Sequence, residues 1–238
     1  MANITRRSFL SVAPAGLATL GALTATSQSA DAQLVWKTAD WKTAAFRALT
    51  EEQARIKQLY DITKIAEGGF LNNIKKSLNG LHFGFGIPDK QVKIVAALHG
   101  PANMLNCDDY VWNKYQVGQW LNIIDPVTGN SAVRNIFYPS KNGLSGPAVL
   151  KDPNDPGAIY QDTSVEALQS RGVQFLACHT ATEEQARVLV RRNNLSQSPE
   201  SVVNDMLAHT VPGVLVVAAR VAAIALLQAE GRYTYTTV

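Results

Sequence analysis

The chain has 238 residues, 46% hydrophobic and 17% charged, which is enough apolar material for one sizeable core and excludes disorder and coiled coil. Its 22 basic and 19 acidic residues give a formal charge of +3, too even a balance for a phosphate-gripping surface, so no nucleic acid is expected as a partner. Two cysteines, neither in a C-x-x-C pair, allow one disulfide at most and cannot staple the fold by themselves.

Thr5-Arg6-Arg7-Ser8-Phe9-Leu10 sets two arginines before an apolar pair, and an apolar, small-residue stretch follows from Val12 to Ala25. This resembles a twin-arginine export signal. The stretch holds Pro14, Gly16 and Gly21 and falls short of the ~20 apolar residues that span hydrocarbon, so a membrane helix is the weaker reading. Ala30-Asp31-Ala32 fits the small-x-small rule for cleavage, which makes residues 1–32 the signal and Gln33 the first mature residue. The resemblance implies a protein that folds in the cytoplasm and works in the periplasm or outside the cell, with no stable membrane insertion after cleavage.

Residues 33–58 are expected to form a helical extension. Helix formers run from Asp40 to about Leu59, and Thr50-Glu51-Glu52-Gln53 reads as a capping box that starts a helix. The string Thr-Glu-Glu-Gln-Ala-Arg returns at Thr182–Arg187, where a second helix start is the simplest explanation. Beyond Leu59, short β-like runs alternate with helical ones, the pattern of an α/β domain over 59–238 whose parallel sheet carries helices on both faces. A first strand is expected over Tyr60–Ala66, and apolar residues at 70, 71, 74, 78 and 81 give a helix stopped by Gly84 and Gly86. Val92–Leu98, Val173–Ala177 and Val214–Ala218 are strands two, three and four, each near-continuously apolar as a strand covered on both faces must be. Val221–Glu230 is a helix closed by Gly231, and Tyr233–Val238 offers a last strand suited to a sheet edge, for about five strands in all. Between Asn122 and Asp162 the periodicity collapses. Five of the ten prolines fall there (126, 139, 147, 153 and 156), so this segment reads as a loop insertion serving as a lid, a subunit contact or a mobile connection.

Cys178 closes the third strand, and open parallel sheets place their ligand crevice at the carboxyl ends of their strands. With a helix expected to open at Thr182, the positive end of its dipole favours a thiolate at that position. Position alone leaves a second reading open, that of a small buried hydrophobe.

The order Gly172-Val173-Gln174-Phe175-Leu176-Ala177-Cys178, then Val211-Pro212-Gly213-Val214-Leu215-Val216-Val217, then Leu227-Gln228-Ala229-Glu230-Gly231-Arg232-Tyr233, resembles the carboxy-terminal half of DsrE-like sulfur-relay proteins. The Leu98-His99-Gly100-Pro101 turn is similar as well, so the resemblance covers Leu59–Met104 and Ser164–Val238. It implies a flavodoxin-like layered domain assembled as a homo-oligomer, a trimer or hexamer, in which Cys178 carries sulfur as a persulfide between a donor and an acceptor protein. No cofactor is implied. His179-Thr180-Ala181 departs from the small polar residue and asparagine that follow the cysteine in many members, and the insertion has no counterpart in the family.

Cys107 lies eight residues after His99 and is expected on the same rim, as a disulfide partner of Cys178, a resolving thiol or plain packing. Asp108 and Asp109 beside it argue against its being the nucleophile. His99 and His179 are the candidate binding residues, and with the two cysteines they could offer two nitrogens and two sulfurs to a soft metal, although no spacing is diagnostic of one. His82 reads as a satisfied structural residue, and the aromatic group of Tyr110, Trp112 and Trp120 as core or subunit contact. No nucleophile elbow, Walker loop or complete Gly-x-Gly-x-x-Gly occurs. Three functions follow as alternatives, an exported sulfur carrier using Cys178, a non-catalytic exported scaffold acting through the insertion, and a soft-metal-binding protein using the same rim.

Overall fold

The apolar runs pair into one five-stranded, all-parallel sheet in the computed structural model, which describes residues 41–141 and 152–237. The strands are β1 (Ile56–Ile62), β2 (Val92–Leu98), β3 (Gln174–Cys178), β4 (Leu215–Val217) and β5 (Thr234–Thr237), in the order β4-β3-β2-β1-β5. The expected export signal, with Arg6, Arg7 and Ala32, lies outside the described residues.

Helix α1 (Thr43–Thr50) precedes β1, and α2 (Gly69–Asn79) joins β1 to β2. Helices α3 (Asp109–Lys114), α4 (Val117–Leu121) and α5 (Val165–Ser170) lie between β2 and β3. Helices α6 (His179–Arg192) and α7 (Pro199–Ala208) lead to β4, and α8 (Arg220–Ala229) returns the chain to β5. Side-chain oxygens start three of them: Asp108, Ser164 and Ser198 accept from the N–H groups of Val111, Ala167 and Ser201 at 3.2, 3.1 and 3.2 Å.

The connections decide the layering. From β1 to β4 each crossover steps in the same direction, and the last steps back across the whole sheet, so right-handed crossovers put α8 on the opposite face from α2, α5 and α6. Strand alternation agrees. Tyr60, Ile62, Ile94, Ala96, Leu98 and Phe175 face the α2 and α5 side, whereas Leu59, Val95, Ala97, Leu176 and Leu215 face α1 and α8. This is an α/β layered fold of flavodoxin-like type. A further apolar cluster, built on Trp112, Tyr115, Leu189 and Met206, packs α3, α4, α6 and α7 together and includes Ala132, with Ile136 and Phe137 against it. The described residues 123–141 therefore dock on the domain, and Phe137 and Tyr138 carbonyls accept from Val165 and Glu166 at the start of α5.

Two expectations at the amino-terminal side are corrected. Thr50 ends a helix in place of starting one: its hydroxyl donates back to the Arg47 carbonyl at 2.9 Å, and the helix expected to reach Leu59 gives way to β1 at Ile56. Pairing on both sides overrides helix propensity there, because Ile56–Ile62 registers against Val92–Leu98 and Gln58–Asp61 against β5, which also shifts the first strand four residues earlier than expected. The second T-E-E-Q string is likewise inside α6, not at its start; Thr182 bonds back to the Cys178 carbonyl at 3.1 Å. Among the described residues no helix is long and apolar enough to cross a membrane.

Candidate functional site

Strand β3 ends on Cys178 and α6 begins on the next residue, so the cysteine is itself the N-cap position, with extended backbone at φ −91° and ψ 115°. In a two-residue alternation Cys178 shares the face of Leu176, toward α8. Three polar groups from three connections meet its sulfur. The Arg220 backbone N–H, at the first residue of α8, donates to Sγ at 3.3 Å; the Thr180 hydroxyl lies at 3.0 Å; His99 Nδ1, one residue past β2, lies at 3.4 Å. Cys178 is only 1% exposed, yet its sulfur sits in this polar cradle and belongs to none of the three apolar clusters. Amide and hydroxyl donors converging at a helix N-terminus are what an anionic sulfur needs.

Two supports hold the cradle. Asn103, 1% exposed in the turn after β2, accepts the Cys178 N–H on Oδ1 at 2.9 Å and donates from Nδ2 to Thr182 Oγ1 at 3.0 Å and Gln185 Oε1 at 3.1 Å. It locks the start of α6 to the loop carrying His99. On the other side the Arg220 guanidinium pairs with Asp61 of β1, whose second oxygen accepts from Tyr235 of β5 at 2.6 Å. That chain ties the N-terminus of α8 to the opposite edge of the sheet. Gly100 between them has φ +52°, and a Cβ there would come within 3.2 Å of the Thr63 carbonyl oxygen, so glycine is what lets the His99 loop pass so close to the β1 exit. Asn103→Ala is expected to cost about 2 kcal/mol in chemical denaturation, because it leaves the Cys178 N–H without its acceptor and strands Thr182 and Gln185; an unchanged midpoint would show that the cradle does not depend on it.

His99 is pulled below its ordinary value first by burial and next by the Arg220 charge. It is therefore neutral at pH 7, with a ring nitrogen facing the thiol. His179, by contrast, turns away from the sulfur although it is the next residue. It is 2% exposed, its Nδ1 lies 3.0 Å from Glu183 Oε1 one turn on, and its ring meets Trp41 edge-on at 5.3 Å. Burial lowers it, against the pull of Glu183.

Cys107 does not join the site. It packs with Met104, Trp112 and Met206 on the far side of the helical layer, bridges to Thr210, and burial, reinforced by Asp108, pushes its thiol up to about 12. Both cysteines are free thiols. The expectation of a resolving or disulfide partner at Cys107 is corrected accordingly: the 3₁₀ turns of Gly100–Asn106 carry the chain from the rim into the α3–α7 cluster within those eight residues. The four-ligand metal set is lost with it, and among the described residues no group of three or more His, Cys, Asp or Glu is placed to hold a metal ion. His82 sits among Phe83, Tyr160 and Asp89 near the start of β2, at the other end of the strands, and His209 stacks on Tyr110 beside Asp108.

Compared with known proteins, the chain matches no family model and no curated protein. Its chemistry therefore rests on the cradle itself. The residues that sequence reasoning missed are Asn103, Thr180, Arg220 and Asp61, and of these only Arg220 carried a signal, as the one cation at the carboxyl end of the fourth strand.

Proposed function

We propose that this protein carries sulfur as a persulfide on Cys178, in the manner of the DsrE-like relay proteins it resembles, as an exported homo-oligomer. The observation that carries the reading is the sulfur of Cys178 at the carboxyl rim of a parallel sheet, between the Arg220 N–H, the Thr180 hydroxyl and a neutral His99. His99 Nδ1 takes the thiol proton. The thiolate then attacks the outer sulfur of thiosulfate, the S–S bond to sulfite breaks, and sulfite leaves with the electron pair, giving Cys–S–S⁻ with no oxidant consumed. An acceptor thiolate next attacks the terminal sulfur and returns Cys178 as a thiolate. The same three groups that cradle the thiolate are at hand for it again at that point.

The test is intact-mass spectrometry after incubation with thiosulfate or polysulfide. Additions of whole sulfur atoms are expected on Cys178 and absent in Cys178→Ser; an unmodified wild-type protein overturns the reading. A second reading is a non-catalytic scaffold, favoured by the exposed apolar side chains Ile124, Val127 and Val133 in the inserted segment, 53%, 80% and 59% exposed. Under it, Val127→Asp with Val133→Asp removes association while Cys178→Ser leaves it unchanged.

A further inference from the structure

A cleft of about 480 Å³ opens between α1, the end of β4 and α8, walled by Trp41, Phe46, Val217, Ala222 and Leu226. That volume takes a small organic molecule. The space exists because Ala219, just before α8, and Ala222 and Ala223 in its first turn are alanines where longer side chains would fill the gap to α1.

Two observations set the cleft beside the sulfur, which lies behind its wall and not on it. Val217 lines it and is the register partner of Cys178 across β3 and β4, one strand spacing of ~5 Å away. Both side chains lie on the α8 face, Val217 packing with Ala223 and Leu227 and Cys178 meeting the Arg220 N–H. At the other wall, Trp41 stands edge-on to His179, the residue after Cys178. The charged lining is predominantly cationic, Lys42 and Arg47 against the single carboxylate of Glu230.

We propose that this cleft binds the apolar body of a small, negatively charged organic sulfane-sulfur donor and presents its outer sulfur to Cys178. The proposal rests on the persulfide reading above and names the substrate class. An inorganic donor has nothing to place against Trp41, Phe46 and Leu226, whereas an aryl or alkyl thiosulfonate fills that space and meets the two cations. The Cys178 thiolate attacks the outer sulfur, the bond between that sulfur and the sulfonyl sulfur breaks, and the organic body leaves as a sulfinate with the electron pair, leaving Cys–S–S⁻.

The experiment compares benzenethiosulfonate with thiosulfate as donors for the full chain. The ratio of their loading rates on Cys178 is expected to exceed the ratio for free cysteine by at least about 10-fold, the discrimination that burying an apolar group supplies. Ala222 is exposed, so Ala222→Trp fills the cleft without touching the core, and it is expected to return the ratio to that of free cysteine. Calorimetry supplies a readout independent of transfer: benzenesulfinate binds the wild type and Cys178→Ala but not Ala222→Trp. A ratio equal to that of free cysteine, or sulfinate binding that Ala222→Trp leaves intact, overturns the cleft assignment. Sulfinate binding with no loading from either donor overturns the persulfide reading and the delivery step with it, and leaves the cleft as a site for apolar anions.

Discussion

His99→Gln is expected to slow the reaction of Cys178 with iodoacetamide by about 100-fold at pH 7, the lower end of what a positioned general base contributes. Glutamine keeps a polar side chain of similar reach but cannot take the thiol proton, so the loss measures proton transfer and not the shape of the cradle. The pH profile separates the two further. Burial and Arg220 hold His99 below its ordinary value, so it is neutral at pH 7 and becomes protonated only as pH falls below the ordinary histidine range. The wild-type rate therefore drops on the acid side as His99 gains its proton, and in His99→Gln that limb disappears. Cys107 does not confuse the measurement, since its buried thiol is pushed up to about 12. A wild-type profile indifferent to the substitution would remove His99 from the chemistry.

The same group shapes stability. A histidine whose folded value is lowered binds fewer protons in the folded state than in the unfolded one, so its contribution is fully present above pH ~6.5 and is lost as pH falls toward the folded value. His179, also lowered by burial, acts in the same direction. Acidification from pH 7 to 5 is thus expected to lower the denaturation midpoint of the wild type more than that of His99→Gln.

Gly118→Ala is expected to destabilise the protein by about 3 kcal/mol, the upper part of the range for overpacking. A Cβ at this position would stand within 2.6 Å of the Ala132 nitrogen and 2.8 Å of its carbonyl carbon and overlap its carbonyl oxygen. These are backbone atoms and cannot rotate aside, and the Ala132 N–H is itself held by the Ile123 carbonyl at 2.8 Å. For a domain of this size the loss corresponds to a fall in Tm of about 10 °C in a thermal melt. Gly84→Ala is the matched control, since nothing lies within 4 Å of its added methyl and the change should stay within about 0.5 kcal/mol. Equal melting of the two variants would mean that the segment around Ala132 is not seated on α4 in solution.

The elements that could be read from the residues alone are those whose pattern is enforced by burial. Val92–Leu98 was legible to the residue, because a strand covered on both faces admits almost nothing polar. Helix α2 followed from its apolar stripe, and β5 from its β-formers, which do occupy a sheet edge. What failed at Thr50 was a local rule meeting a non-local one: the capping string is sound chemistry, but pairing on both sides of Ile56–Ile62 outweighs it. The site divides along the same line. Cys178 and His99 were legible because strand ends define the crevice in such sheets. Asn103 and Asp61 are ordinary polar residues in the sequence, and even Arg220, the one cation at the carboxyl end of the fourth strand, gains its role only once strand register brings positions 42, 75 and 159 residues apart into contact. Cys107 is close to His99 in sequence but not in space, because the 3₁₀ turns between them lead away from the rim.

The return of α8 across the sheet bears on how the molecule is made. The earliest strand, β1, is paired on its outer side by Thr234–Thr237, so a ribosome must release those four residues before the row of amides along Gln58–Asp61 finds its partners. Until then that flank is an open template for other nascent chains, and the Asp61 carboxylate waits for both Arg220 and Tyr235. Crowded synthesis should accordingly favour intermolecular strand exchange at this edge over any other part of the molecule, and holding factors that shield Ile56–Ile62 during translation should raise the soluble yield.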